Sequence, residues 1–168
     1  MPSAQNVLHL MWDKAKDFLQ RAFSIIFVGT VVIWILEHFN FSLTMISDPS
    51  ESILAYIAGI ITPIFKPLGF ADWKVSTSLI SGFLAKESVV STLTVLYGSS
   101  EILRSSLSIS ATYALLTFCL LYTPCVAAVA AVKREEGISS CIELVCFQCA
   151  IAWIVAFLMR TILLAFGL

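Results

Sequence analysis

Ser81-Gly82-Phe83-Leu84-Ala85-Lys86-Glu87-Ser88-Val89-Val90-Ser91 places two adjacent ionisable side chains inside an otherwise apolar, membrane-length stretch from Val75 to Tyr97. A charge near a bilayer centre costs at least roughly 2.5–3.5 kcal/mol, so such residues face protein, water or a permeating solute. The stretch therefore reads as a membrane helix of residues 73–97 with a functional inner face. Ser78, Ser81, Ala85, Ser88 and Thr92 recur at spacings of three and four, a stripe of small residues against which another backbone packs closely. Glu87, Ser91 and Thr94 share a second side and offer oxygens to a cation. Consecutive helical residues point about 100° apart, so Lys86 and Glu87 need not pair with each other. The competing reading is structural: each charge is neutralised elsewhere, half-helix ends included.

Composition sets the same frame. Hydrophobic residues make up 59% and charged residues 12% of the 168 positions, against about 45–50% and about 25% in soluble domains. The mean hydropathy of +0.94 agrees, and a pI near 6.1 with no basic stripe argues against a nucleic-acid partner. No phosphate loop, HExxH, GxSxG or paired zinc CxxC is present, so self-contained NTPase or hydrolase chemistry finds no support. Cys119, Cys125, Cys141, Cys146 and Cys149 all lie in apolar surroundings and read as reduced thiols rather than a disulfide scaffold. Asp13, Lys14, Lys16, Asp17 and Arg21 precede the first long apolar run, which is unlike a cleaved signal peptide.

The fold class expected is all-α: a polytopic membrane helix bundle with a broken or re-entrant half-helix. Residues 1–21 form an amphipathic interfacial segment and 22–168 the membrane domain. The first span ends near Leu36, with Trp34 in the interfacial belt; basic residues before it and acidic ones after it predict an inside N-terminus. Residues 53–65 are apolar but short, with Gly59 and Pro63 as interruptions, hence the half-helix. Spans follow at 112–132 and 141–166, joined by a Lys133-Arg134-Glu135-Glu136-Gly137 turn. Four or five membrane segments result. If 53–65 crosses, Lys133 and Arg134 fall inside, and if it re-enters they fall outside; their inside placement is preferred.

The second constellation is Tyr122-Thr123-Pro124-Cys125. Proline lacks the amide proton and clashes with the carbonyl four residues back, here that of Leu120. A kink there exposes carbonyl oxygens beside a thiol, a sparse site suited to transient Fe²⁺ binding. The bland alternative is a cysteine that fills space. Cys146 and Cys149 have CxxC spacing but lie mid-span, so packing is the reading preferred. His38 is expected in a boundary loop, and Glu143 and Arg160 are expected to snorkel from the last span.

These motifs together resemble a known family. Gly82-Phe83-Leu84-Ala85-Lys86-Glu87, Ser91-Thr92-Leu93 and Leu96-Tyr97-Gly98 resemble the second Gate segment of bacterial ferrous iron transport protein B. So do Pro63-Ile64-Phe65, Pro67-Leu68-Gly69-Phe70 with Asp72-Trp73, and Leu121-Tyr122-Thr123-Pro124-Cys125-Val126-Ala127. The resemblance covers about residues 6–160. It implies Fe²⁺ uptake across the bacterial inner membrane, coupled to a GTPase domain that this chain lacks. Its Gate segments are themselves similar to nucleoside-transporter gates. The chain then looks like the C-terminal part of such a transporter, as a fragment or a split product.

By position, Cys125 and Glu87 become the metal-ligand candidates. Lys86, Ser91, Gly82, Pro124 and Tyr122 become the path and gating candidates. No resident cofactor is expected, Fe²⁺ being the transported substrate. The partners implied are the bilayer and the GTPase-plus-first-Gate portion, with self-association left open. Two rivals stand beside this reading: a non-transporting membrane assembly subunit, and a Gate-type nucleoside transporter fragment.

Overall fold

Inside a bilayer every backbone polar group must find its partner within the protein, and helices do this locally. The computed structural model describes residues 4–42, 44–46, 48–84, 86–123 and 125–167. These form α1 (Ala4–His38), α2 (Ile53–Ile61), α3 (Trp73–Gly82), α4 (Ser88–Tyr97), α5 (Ser100–Ser106), α6 (Ile109–Leu121) and α7 (Val126–Ala165). Two 3₁₀ segments, Pro49–Glu51 and Thr62–Leu68, link them. Among the described residues the extended pairing is limited to an isolated Phe39–Met45 bridge. The chain is all-α.

α1 has 35 residues, about 52 Å at 1.5 Å per residue, well beyond a hydrocarbon core of roughly 30 Å. The expected boundary between residues 21 and 22 falls inside this one continuous helix. Phe23, Phe27 and Val28 on α1 stay exposed, as a lipid-facing or partner-facing helix requires. His38 is not a loop residue: it ends α1, stacked on Trp34 with ring centroids 4.8 Å apart.

The half-helix is present. Ser52 caps α2 by accepting from the Ala55 amide at 3.0 Å, and at Thr62-Pro63 the helix tightens into the 3₁₀ segment. Gly69, at φ 85°, turns the chain out of it. Asp72 then caps α3 by accepting from the Lys74 amide. The unit Ile53–Leu68 lies at 104° to Trp73–Gly82.

The largest departure from expectation concerns residues 73–97. They are not one helix but two of ten residues each, α3 and α4. Each is about 15 Å long, half the depth of a bilayer. The Tyr97 hydroxyl donates to the Asp72 carboxylate, bringing the end of α4 back to the start of α3. The pair is therefore a helical hairpin of half-span legs, with its tip between Phe83 and Glu87. Lys86 and Glu87 do not sit mid-helix; they stand on the tip, where Lys86 reaches the carbonyls at the end of α6 and Glu87 is exposed. Ala85, from the expected small-residue stripe, lies outside the described residues.

α7 also reverses. Gly137 adopts φ 91° and ψ 177°, outside the helical region. The Cys141 thiol donates to the Val129 carbonyl at 3.6 Å, and Thr123 Oγ1 lies 2.9 Å from Cys149 Sγ. Both contacts bracket the expected turn. Cys149 thus packs, and the five cysteines are free.

Leu68, Phe70, Val75, Leu79, Leu93 and Phe118 form the buried centre, where the hairpin, the 3₁₀ segment and α6 meet. Trp153 Nε1 donates to the Ile64 carbonyl at 3.0 Å, and Arg160 Nη1 donates to that of Pro67. Arg160 does not snorkel outward: the 3₁₀ segment has carbonyls that no helix ladder satisfies, and the guanidinium supplies the donor.

By length and hydropathy Asn6–His38 and Ile109–Ala165 are each able to cross a membrane, and counting the bent pair gives three such stretches. Ile109–Ala165 reverses at Gly137 and so holds both expected segments, 112–132 and 141–166; of the full spans expected, 73–97 alone is replaced by half-depth helices.

The reversal settles how the ends relate. Lys14 and Asp17 of α1 line one cavity together with Arg134 and Glu135. The basic start of the chain and the basic turn therefore share one end of the bundle. The sequence-level choice between crossing and re-entry for 53–65 assumed that 73–97 crossed. With 73–97 folded into a hairpin of half-span legs, the basic segments lie together.

Candidate functional site

Two helix interruptions meet at the bundle centre. One is the hairpin tip, and the other is the gap between α6 and α7. Tyr122 leaves α6 with an extended backbone, φ −65° and ψ 170°, and Cys125 precedes the first residue of α7. The Pro124 of the expected kink lies outside the described residues. The break is nonetheless where the sequence puts it.

Several of the freed backbone groups are answered across the crossing, as burial away from water demands. Val126 N donates to the Phe83 carbonyl at 3.0 Å, tying the gap to the tip. Lys86 Nζ donates to the Leu120 carbonyl at 3.2 Å and to that of Tyr122 at 3.0 Å. The same ammonium stands 5.0 Å from the Tyr122 ring centroid. Ser88 Oγ donates to the Ser81 carbonyl across the tip. Lys86 therefore answers to backbone oxygens, one reason it need not pair with Glu87.

Gly82 has a steric reason to be glycine. A Cβ at that position would lie 2.7 Å from Tyr122 Oη and closer still to Val89. The bare backbone lets Tyr122 lie buried against the tip, where its hydroxyl approaches the Leu79 carbonyl at 3.4 Å. Tyr122 thus touches both Gly82 and Lys86, and Cys125 adjoins Val126, whose amide donates to the tip.

Glu87 occupies the start of α4 and is exposed. Ser91, one turn on, donates to the Ser88 carbonyl at 3.1 Å. Cys125 is half-buried at the start of α7. Among the described residues no group of three or more His, Cys, Asp or Glu side chains gathers as a metal cage. The crossing offers instead the Cys125 thiol beside several carbonyls, with a lysine already on two of them, while Glu87 is exposed at the tip. Helix N-termini carry positive partial charge and C-termini negative. Lys86 sits on the C-terminal carbonyls of α6, where a cation is favoured.

The sequence did not single out Glu37, which accepts from Ser81 Oγ at 3.2 Å. Nor did it single out Thr77, Trp153 or the Asp72–Tyr97 closure. The adjacency of Glu37 and His38 at a helix end was the available signal for the first. The others depend on chain reversals that periodicity does not report.

Interrupted helices whose ends meet around unwound backbone are the architecture in which membrane carriers hold ions. Such a crossing of helix ends places the chain among helical membrane proteins with interrupted helices. A family model described as Gate, nucleoside recognition, matches residues 19–139. The chain is 34% identical over 140 residues to the Fe(2+) transporter FeoB of Staphylococcus aureus (strain COL), covering 80% of this chain and 21% of that protein. It is 31% identical over 174 residues to the Fe(2+) transporter FeoB of Methanocaldococcus jannaschii, covering 96% and 26%. The corresponding protein of Campylobacter jejuni is 33% identical over 177 residues, covering 94% and 29%. No solved structure matches significantly. The chain belongs to the Gate family, and its relatives there are Fe(2+) transporters of the FeoB type. It spans about a quarter of the length of those relatives.

Proposed function

We propose that this chain forms half of an Fe²⁺ path across a bacterial inner membrane, and that the crossing of the hairpin tip with the α6–α7 gap is its gate. The observation that carries the reading is Lys86 seated on the Leu120 and Tyr122 carbonyls. A tethered ammonium holds the position that a passing cation would use, so the gate is closed until the tip withdraws. Cys125 then offers sulfur and Glu87 carboxylate oxygen, with Ser91 as a hydroxyl behind them. Fe²⁺ is cargo here and no resident cofactor is needed. Work to move the tip comes from a GTPase domain on a partner or on the rest of a longer chain; this portion catalyses nothing itself.

In this reading the end carrying Lys14 and Arg134 faces the cytoplasm, as the positive-inside tendency favours. The hairpin enters from the opposite side. The domain division proposed is an interfacial part of α1 before residue 22 and the Gate bundle after it.

The test is anaerobic Fe²⁺ uptake by the whole transporter in proteoliposomes. Cys125→Ser depresses uptake at equal protein level, and Glu87→Gln depresses it more than Glu143→Gln does. Wild-type uptake by Cys125→Ser would remove the thiol from the path, and unchanged uptake after replacing Cys125, Lys86 and Glu87 together would favour an assembly subunit. Because the matching family is described by nucleoside recognition, a nucleoside cargo is the second reading, and it predicts competition by nucleosides rather than by divalent metals.

A further inference from the structure

A cavity of about 300 Å³ lies between the end of α1 and the two legs of the hairpin, with Glu37, His38, Ser52, Thr77 and Ser91 on its wall. Three observations single it out. First, the hydroxyl of Thr77 is buried without a hydrogen-bond partner, and the residue is only 2% exposed. A buried hydroxyl without a partner costs about 1–3 kcal/mol, so in the empty cavity Thr77 is a destabilising group. Second, His38 Nδ1 lies 2.9 Å from the Trp34 carbonyl. A carbonyl only accepts, so the proton is on Nδ1 and the Nε2 lone pair remains for a ligand. Metal-binding imidazoles are commonly oriented in this way, through the opposite ring nitrogen. Third, Glu37 is oriented by the Ser81 hydroxyl, which leaves its second oxygen uncommitted to that bond.

We infer that this cavity is a second divalent-cation station, holding a borderline metal ion of the Fe²⁺, Mn²⁺ or Co²⁺ kind. Imidazole nitrogen and carboxylate oxygen suit these ions. The Ser91 hydroxyl and water complete the shell, with the Thr77 hydroxyl buried behind them. The C-terminal end of α1 adds a negative potential that favours a cation. Ser81 joins the station to the gate, because its hydroxyl holds Glu37 while its carbonyl accepts from Ser88 at the tip. In the orientation proposed above the station opens on the outer side, upstream of Lys86. The identity of its physiological ion rests on that reading, but its existence does not.

The experiment is a Co²⁺ titration of the full chain in lipid nanodiscs, followed by visible absorption. It is run in a Cys125→Ser background so that no thiol at the gate contributes. The expected result is one saturable Co²⁺ site, weakened roughly tenfold or more by Glu37→Gln or His38→Gln and several-fold by Thr77→Val. Co²⁺ also raises the melting temperature of the Cys125→Ser chain and loses that effect when Glu37 or His38 is replaced. Thr77→Val guards against a trivial loss of fold, since it deletes an unsatisfied group and should melt no lower than its parent. Absence of a Co²⁺ site, or affinity unchanged by Glu37→Gln and His38→Gln, overturns the inference. Those results leave the Cys125 dependence of Fe²⁺ uptake untouched, whereas uptake indifferent to Cys125 with the Co²⁺ site intact overturns only the gate.

Discussion

Replacing Lys86 with Met keeps the length and apolar stem of the side chain while removing the ammonium. Two charge-assisted hydrogen bonds are lost, to the Leu120 and Tyr122 carbonyls, at about 1.5–3 kcal/mol each. Against this, an ammonium no longer has to be held at membrane depth, a relief of roughly 2.5–3.5 kcal/mol. The bonds outweigh the relief over most of that range, a net destabilisation of about 0–3.5 kcal/mol. For a chain of this size that is a fall in melting temperature of up to about 14 °C, at roughly 2–4 °C per kcal/mol. Transport should respond differently from stability. With the tethered cation gone, Fe²⁺ leak through the transporter should rise in the absence of nucleotide, while Lys86→Arg keeps a donor at the same carbonyls and stays closed. The assays are thermal unfolding in detergent and nucleotide-free Fe²⁺ flux in proteoliposomes. A Lys86→Met protein that melts clearly above wild type would refute the claim that the bonds outweigh the buried charge. Unchanged leak would refute the plug.

Trp153→Phe keeps an aromatic ring but removes the donor to the Ile64 carbonyl together with the pyrrole part of the indole, and is expected to cost about 1 kcal/mol for the hydrogen bond with a further loss of packing. Faster amide exchange confined to residues 62–70 is its signature, and a uniform effect over the whole chain would contradict the anchoring role. At the membrane boundary, the Asp48 carboxyl is held below its ordinary value of 3.8 by the Ser50 amide first and the Ser50 hydroxyl second. A depressed folded value means that the capped turn is fully supported above pH 3.8 and loosens as pH falls through a lower midpoint. The Ser50 amide resonance should report that midpoint, and a titration at or above 3.8 would show that the cap does not form.

How much of this was legible in the sequence differs from element to element. Composition and hydropathy announce a helical membrane chain because the bilayer admits few alternatives. The gap at Tyr122–Cys125 and the reversal at Gly137 carry local signals, a proline and a glycine after a charged run. The hairpin did not announce itself. Residues 73–97 are long and apolar enough to pass for a span, and no proline marks the tip. What breaks the helix is tertiary: Lys86 gains two carbonyls on α6, and Tyr122 packs where Gly82 has no side chain. Such long-range terms override a helix-length pattern. The candidate residues fared unevenly for the same reason. Lys86, Gly82 and Tyr122 come together through contacts across the chain. Glu87 and Ser91 look outward from α4, and Ser91 turns up on the wall of a cavity that no spacing rule would indicate.

Trp153 and Arg160 sit seven positions apart on α7, about 10 Å along its axis, and fasten Ile64 and Pro67 respectively. The elbow before α3 is thereby riveted to the last helix at two points, which removes its freedom to swing as a unit. If the crossing gates a path as proposed, the stroke that opens it comes from flexure of the α3–α4 loop itself, pivoting near its closed base. The carrier would work like a latch on a fixed jamb rather than a rocking door.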